Sequence, residues 1–280
     1  DGFTPQQLGT ISHPVFDQRA MLAPLVKAHG RLDGPDPGAE IADLLAAALS
    51  PRRGPVHIEL TGAAARSRAR AYASSLAIAL PAAAPAAVAA AHALLGASRR
   101  PVVVVGLEAR AAWFETRRLV ETLACPALVT YKAKGVVPDA HPQYAGIFTC
   151  GAAEQAVVGQ ADLVLLVGVD PVEFILQPWP YRCPVLEVGF KKHPVHYVGA
   201  SACLHGDMAA SLASLLAVAQ PGAWNMSEIA DLRAAMFASL RCRGRRAGLA
   251  PESVVRVAAE EAAKLKAWPR ITVDAGAHMF

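Results

Sequence analysis

Cysteine is sparse and unpatterned: Cys125, Cys150, Cys183, Cys203 and Cys242 show no CxxC spacing. Their odd number excludes a fully paired disulfide framework, so reduced thiols in a cytoplasmic protein are expected. Charge is also thin. Only 18% of residues are charged and the net charge is +4, short of the dense basic face of a nucleic-acid binder. The one basic cluster, Arg241-Cys-Arg-Gly-Arg-Arg246, reads as a solvated turn. Long apolar runs are missing too, because Pro81 and Pro85 break the stretch from Ser74 to Ala97, which excludes it as a membrane span. No secretory leader is visible. Neither nucleic acid nor a membrane is expected as a partner. Aromatic residues are few (6%), and with abundant alanine this suits helices packed closely on sheets.

What the chain does have is an alternation of helical and strand patterns. Ala39–Leu49 is amphipathic, and Gly54-Pro-Val-His-Ile-Glu-Leu60 is a short β-branched strand. Residues 63–84, punctuated by alanine and proline, read as a connection between domains. Helices are then expected at Pro85–Leu95, Trp113–Leu123 and Ala152–Val158, with a closing one at Met208–Ala217. Strands are expected at Pro101–Gly106, Ala127–Thr130, Leu163–Val167 and, as the last clear one, Val185–Val188. Pro251–Lys264 forms another helix, and a further strand starts at Ile271 and turns at Ala275-Gly276. The fold class is α/β: a central open parallel-sheet Rossmann-like domain covered on both faces.

The polar loop between Leu128 and Gly146 lies at the carboxyl end of that sheet, where open α/β proteins bind ligands. Asp170 and Glu173 offer an acid/base pair on paper, but with Pro171 between them they read as surface carboxylates of a loop. His193 and His196 have no third ligand near them in sequence, and zinc needs three protein groups. Cys150 reads as a small buried apolar residue.

Phe3-Thr-Pro5, Leu8-Gly9-Thr10, Asp17, Pro24, Lys27 and Gly54–Leu60 occur in an order followed by Pro101–Gly106, Lys134-Gly135, His141-Pro142, Gly146 and Ala161–Gly168. Thr272-Val-Asp-Ala-Gly-Ala-His278 closes the series. This order resembles the thiamine-diphosphate-dependent 2-oxo-acid enzymes of the acetolactate synthase type. The resemblance implies an internal fragment. Residues 1–66 would be the end of a pyrimidine-binding domain and 67–225 a linker and central Rossmann-like domain. Residues 226–280 would be the start of a diphosphate-binding domain, so partial α/β cofactor-binding domains would flank the central one.

The resemblance also implies thiamine diphosphate and magnesium as cofactors. The family's activating glutamate would lie upstream of Asp1, and its Gly-Asp-Gly metal segment downstream of Phe280. The fragment alone is then expected to be inactive. Gly276 and His278 match the turn that reaches the cofactor's diphosphate end, while Asp274 is expected to be structural. Lys27 matches a lysine at the substrate entrance, where a cation suits a 2-oxo-acid carboxylate; a solvated surface lysine is the alternative. His13, followed by Pro14, replaces the family's Phe-Gln pair and is the other candidate for the substrate. That departure puts acetolactate synthesis itself in doubt.

Lys132 and Lys134 occupy the loop that in relatives approaches FAD or ADP. Ile147-Phe-Thr-Cys150 and Asp170-Pro-Val-Glu173 depart from the flavin-binding runs, so no functional FAD is expected and both lysines read as solvated. The implied partners are a small 2-oxo acid and further copies of the chain, as a homodimer or homotetramer. The competing class is a non-catalytic nucleotide-binding or assembly module on the same fold.

Overall fold

The computed structural model describes residues 10, 16–51, 53–69, 78–175, 178–193, 198–240 and 250–270. The chain divides into two compact units, Asp1–Leu80 and Pro81–Phe280. His13, Gly276, His278, Asp274 and the strand expected from Ile271 lie outside the described residues.

The first unit contains α1 (Gln18–Leu22), β1 (His29–Arg31), α2 (Pro37–Leu49) and β2 (His57–Glu59). The two strands pair in parallel with His29 opposite His57. Helix α2 starts where it does because the Asp36 carboxylate accepts the Ala39 N–H at 3.0 Å and Pro37 needs no N–H partner in the first turn.

The second unit contains α3 (Pro85–Ala97), β3 (Pro101–Val105), α4 (Trp113–Leu123), β4 (Ala127–Val129) and β5 (Tyr144–Ile147). It continues through α5 (Gln155–Val158), β6 (Leu163–Val167), β7 (Val185–Gly189) and β8 (Ala202–His205). It then runs through α6 (Met208–Leu216), α7 (Met226–Ser239) and α8 (Pro251–Lys264). The six strands form one sheet in the order β5-β4-β3-β6-β7-β8. Every pairing in it is parallel. The α/β class and the open parallel sheet expected from the sequence are therefore observed.

β3 and β6 are buried at all five positions, as continuous Val/Leu runs covered on both faces require. Helix α6 packs against α3 and α4, α3 lies on β8, and α7 lies on the opposite edge strand β5. Strands β1, β5 and β8 and helix α1 are not among the expected elements; β5 and β8 form the two edges of the six-stranded sheet. Helix α7 also went unread. The Asn225 side chain accepts the Glu228 N–H at 2.7 Å to start it, and Ile229 and Met236 are buried.

The approach to the sheet is tied to its far end in sequence. The Pro81 carbonyl accepts the Asp207 N–H at 2.9 Å. Gly206, at φ +128°, leaves that oxygen the space a side chain would fill, because a Cβ would stand 2.0 Å from it.

Candidate functional site

The strand order reverses between β3 and its neighbours β4 and β6, so the topological switch point lies at the carboxyl ends of these three strands. Each strand end is followed by a tight turn. The Gly106 N–H donates to the Val167 carbonyl at 2.8 Å, and the Glu108 N–H to the Gly168 carbonyl at 2.9 Å. The two loops cross backbone against backbone. A Cβ on Gly106 would stand 2.3 Å from the Val169 Cα, and one on Gly168 would stand 2.2 Å from the Ala109 nitrogen.

Glu173 fills this crossing. Its carboxylate accepts the Leu107 N–H on both oxygens, at 3.1 and 3.2 Å, and the Asp170 N–H at 2.9 Å. The Thr130 hydroxyl donates to the same group. One buried anion thus joins the segments that follow β3, β4 and β6. Three donors compensate its desolvation, as a buried carboxylate requires. Asp170 completes a capping box by accepting the Val172 N–H at 3.2 Å. The expectation of two surface carboxylates is overturned: Glu173 is 1% exposed and Asp170 8%. Loop polarity pointed outward in sequence, but the backbone donors left at the strand ends draw both groups inward.

His193 stands beside this group. Its Nε2 lies 3.7 Å from Glu108 Oε1 and its Nδ1 lies 3.8 Å from Asp170 Oδ1. Glu108 also accepts the Phe190 N–H at 3.2 Å. Glu108, Asp170, Glu173 and His193 therefore gather the segments after β3, β6 and β7, a cluster that sequence distance hid. Nearby, the loop after β5 turns inward. Glu154 is fully buried and accepts the Thr149 and Gly151 N–H groups at 3.1 and 2.6 Å. Phe148 packs edge-on against Phe174 with centroids 5.1 Å apart, and Trp179 lies 6.0 Å from Phe148.

The lysines of the loop after β4 are held locally. Lys134 Nζ donates to both oxygens of Asp139 at 2.7 and 2.8 Å and to the Tyr144 hydroxyl at 3.3 Å. Burial works to lower its pKa, but Asp139 and Tyr144 hold the ammonium above its ordinary value. Lys132 Nζ sits 5.6 Å from the Tyr131 ring centroid. Cys150 is buried as expected, and burial with the Glu154 charge raises its thiol to about 11.

In the first unit, Lys27 Nζ donates to the Ser50 hydroxyl at 2.6 Å and to the Ser50 carbonyl at 3.0 Å. Ser50 is the C-terminal cap of α2, so the cation sits at the negative end of that helix. Among the candidate site residues Lys27, His13, Gly276 and His278, Lys27 alone falls within the described residues.

Comparison with known proteins follows the same lines. Residues 88–215 match the model of the thiamine pyrophosphate enzyme central domain. The chain is 31% identical over 217 residues to the probable 2-ketoarginine decarboxylase of Pseudomonas aeruginosa, an alignment covering 73% of this chain and 38% of that protein. It is 42% identical over 74 residues to the pyruvate oxidase of Lactiplantibacillus plantarum, covering 26% of this chain and 12% of the oxidase. A solved structure, benzoylformate decarboxylase from Polynucleobacter necessarius, shares the fold with a TM-score of 0.57 at 20% identity. That superposition covers 78% of this chain and 45% of the decarboxylase. The chain thus spans less than half the length of each of these proteins.

Proposed function

Since the chain belongs to the thiamine pyrophosphate enzymes through its central domain, we propose that it is part of an enzyme that cleaves a 2-oxo acid by decarboxylation. The acyl unit, left with the electron pair of the broken carbon–carbon bond, would then take up a proton or be transferred to an acceptor. The observation that carries this reading is the likeness to the 2-ketoarginine decarboxylase, which runs over 217 residues and so extends beyond the central domain. The pyruvate oxidase and benzoylformate decarboxylase are named for 2-oxo-acid substrates as well.

The described residues do not fit thiamine diphosphate itself. The switch-point crevice is occupied by Glu173 and bordered by Glu108 and Asp170, and three carboxylates repel a diphosphate. In this reading Gly276 and His278 bind the diphosphate of a cofactor that is held together with magnesium. Lys27 steers the substrate carboxylate only by giving up Ser50. The central domain is a scaffold that binds no flavin: Glu173 takes the anion position at the end of β3, and Phe148, Phe174 and Trp179 pack together by the loop after β5. Assembly as a homodimer or homotetramer belongs to the same proposal.

The test is a thermal-shift titration of the full-length protein with thiamine diphosphate and magnesium, because a ligand bound only by the folded state raises its stability. Carbon dioxide release is then measured with pyruvate, benzoylformate and 2-ketoarginine. A rise in Tm with release from at least one acid is expected. A full-length protein indifferent to the cofactor sinks the proposal.

A further inference from the structure

We propose that Glu187, Cys203 and His205 form a site for one divalent transition-metal ion of the zinc class, fastening edge strand β8 to β7. Glu187 and Cys203 are register partners in the parallel β7·β8 pair, and His205 pairs with Gly189 two positions further on. Residues two apart along a strand share a face, so all three side chains project to one side of the sheet. Each offers one ligand atom, and these atoms lie within 4.8 Å of one another.

The geometry is close to what a tetrahedral ion needs. Bond lengths of about 2.0–2.3 Å to oxygen, nitrogen and sulfur put the ligand atoms of such an ion roughly 3.4–3.6 Å apart. Glu187 Oε1 and His205 Nε2 now stand 2.9 Å apart and would open slightly around an ion. The thiol would swing in to meet them.

The donor set also has a definite chemistry. A thiolate, an imidazole and a carboxylate together favour zinc over magnesium or calcium, which prefer oxygen alone. The site is therefore distinct in kind from a magnesium site that bridges a diphosphate. Glu187 is 4% exposed in the middle of a strand buried at every position, and the His205 imidazole already stands against its carboxylate at 2.9 Å. Burial and the Glu187 charge raise the Cys203 thiol, while Lys192 works the other way. An ion bound there reverses that balance, and the thiol proton leaves to solvent as the metal–sulfur bond forms. Lys192 is exposed and can turn its ammonium toward water. Three protein ligands leave the fourth position to water.

The experiment uses the 280-residue chain and cobalt(II) as a coloured stand-in for zinc. One equivalent of cobalt is expected to give a thiolate-to-cobalt charge-transfer band with strong visible bands of a tetrahedral ion, and zinc is expected to bleach them. Zinc should raise the Tm of the wild type but not of Cys203→Ser. His205→Ala should weaken zinc binding by roughly tenfold or more, read by competition with a chelating dye. Cys203 and His205 are only partly buried, so these variants keep the fold, which far-UV circular dichroism verifies. Cys183→Ser and Cys242→Ser are expected to retain the band. Absence of the band in the wild type, its survival in Cys203→Ser, or its loss in Cys242→Ser instead overturns the site.

Discussion

Glu173 receives the Leu107 N–H on both of its carboxylate oxygens, although 66 residues separate the two in sequence. Leu107 opens a six-residue 3-10 segment, Leu107–Ala112, at the end of β3. In open α/β proteins a ligand phosphate commonly takes such a position, because unpaired N–H groups there attract an anion. Here the chain supplies its own.

Removing that anion should cost stability. In Glu173→Ala three donors, the Leu107 and Asp170 N–H groups and the Thr130 hydroxyl, lose their acceptor inside the domain. The expected loss is about 3 kcal/mol or more, with Glu173→Gln intermediate because its amide keeps one acceptor oxygen. Urea denaturation at unchanged slope measures it. A loss under about 1 kcal/mol would show that the strand ends hold without this carboxylate.

Two glycines of this unit should respond in opposite directions to alanine. Gly168 has φ +63° and its Cβ would meet the Ala109 backbone, so Gly168→Ala should destabilise by about 3 kcal/mol or more. Gly96 lies in α3 with open space around it, so Gly96→Ala should stabilise by up to about 1 kcal/mol. Melting curves of the two variants, recorded side by side, decide the matter.

Asp162 should make stability fall in acid. Burial alone would raise its pKa, but the Ser98 hydroxyl and the Arg99 and Arg100 N–H groups hold it below the ordinary value. A carboxyl depressed in the folded state stabilises above its unfolded pKa and loses that contribution as pH falls through the folded one. The loss is therefore expected at and below the ordinary carboxylate range. Urea midpoints of the wild type should fall more steeply there than those of Asp162→Asn. Parallel curves would remove Asp162 from the account.

Thiol chemistry should rank with burial. Cys125 is fully buried and its pKa is pushed up to about 12, and Cys150 is raised to about 11. Cys183 and Cys203 are only partly buried. Among the four described cysteines of the metal-free protein, iodoacetamide under native conditions should therefore label Cys183 and Cys203 first, and Cys125 only after denaturation. Peptide mass spectrometry reads the order; early labelling of Cys125 would contradict the buried core.

The parts legible in sequence were those with a strong period or a buried run. β6 and α4 have the bounds expected of them, Leu163–Val167 and Trp113–Leu123, and β3 ends one residue short of Gly106. The edge strands were not legible. β8 is Ala-Cys-Leu-His, of mixed propensity and buried on alternate residues, and β5 contains Gly146 at φ +134°. The candidate site was the least legible part. Glu173 is buried because of Leu107 and Thr130, and Glu187 faces Cys203 and His205 only because β7 and β8 are neighbours. Pairwise relations across a sheet leave no mark in local spacing.

The hydrogen bond from Asp207 to the Pro81 carbonyl has an architectural consequence. It brings the place where the backbone arrives at the six-stranded layer beside the place where the last strand hands over to its helix. That clasp closes the run 81–207 into a ring, and it sets α6, which leaves from the closing point, beside α3, the helix that enters there.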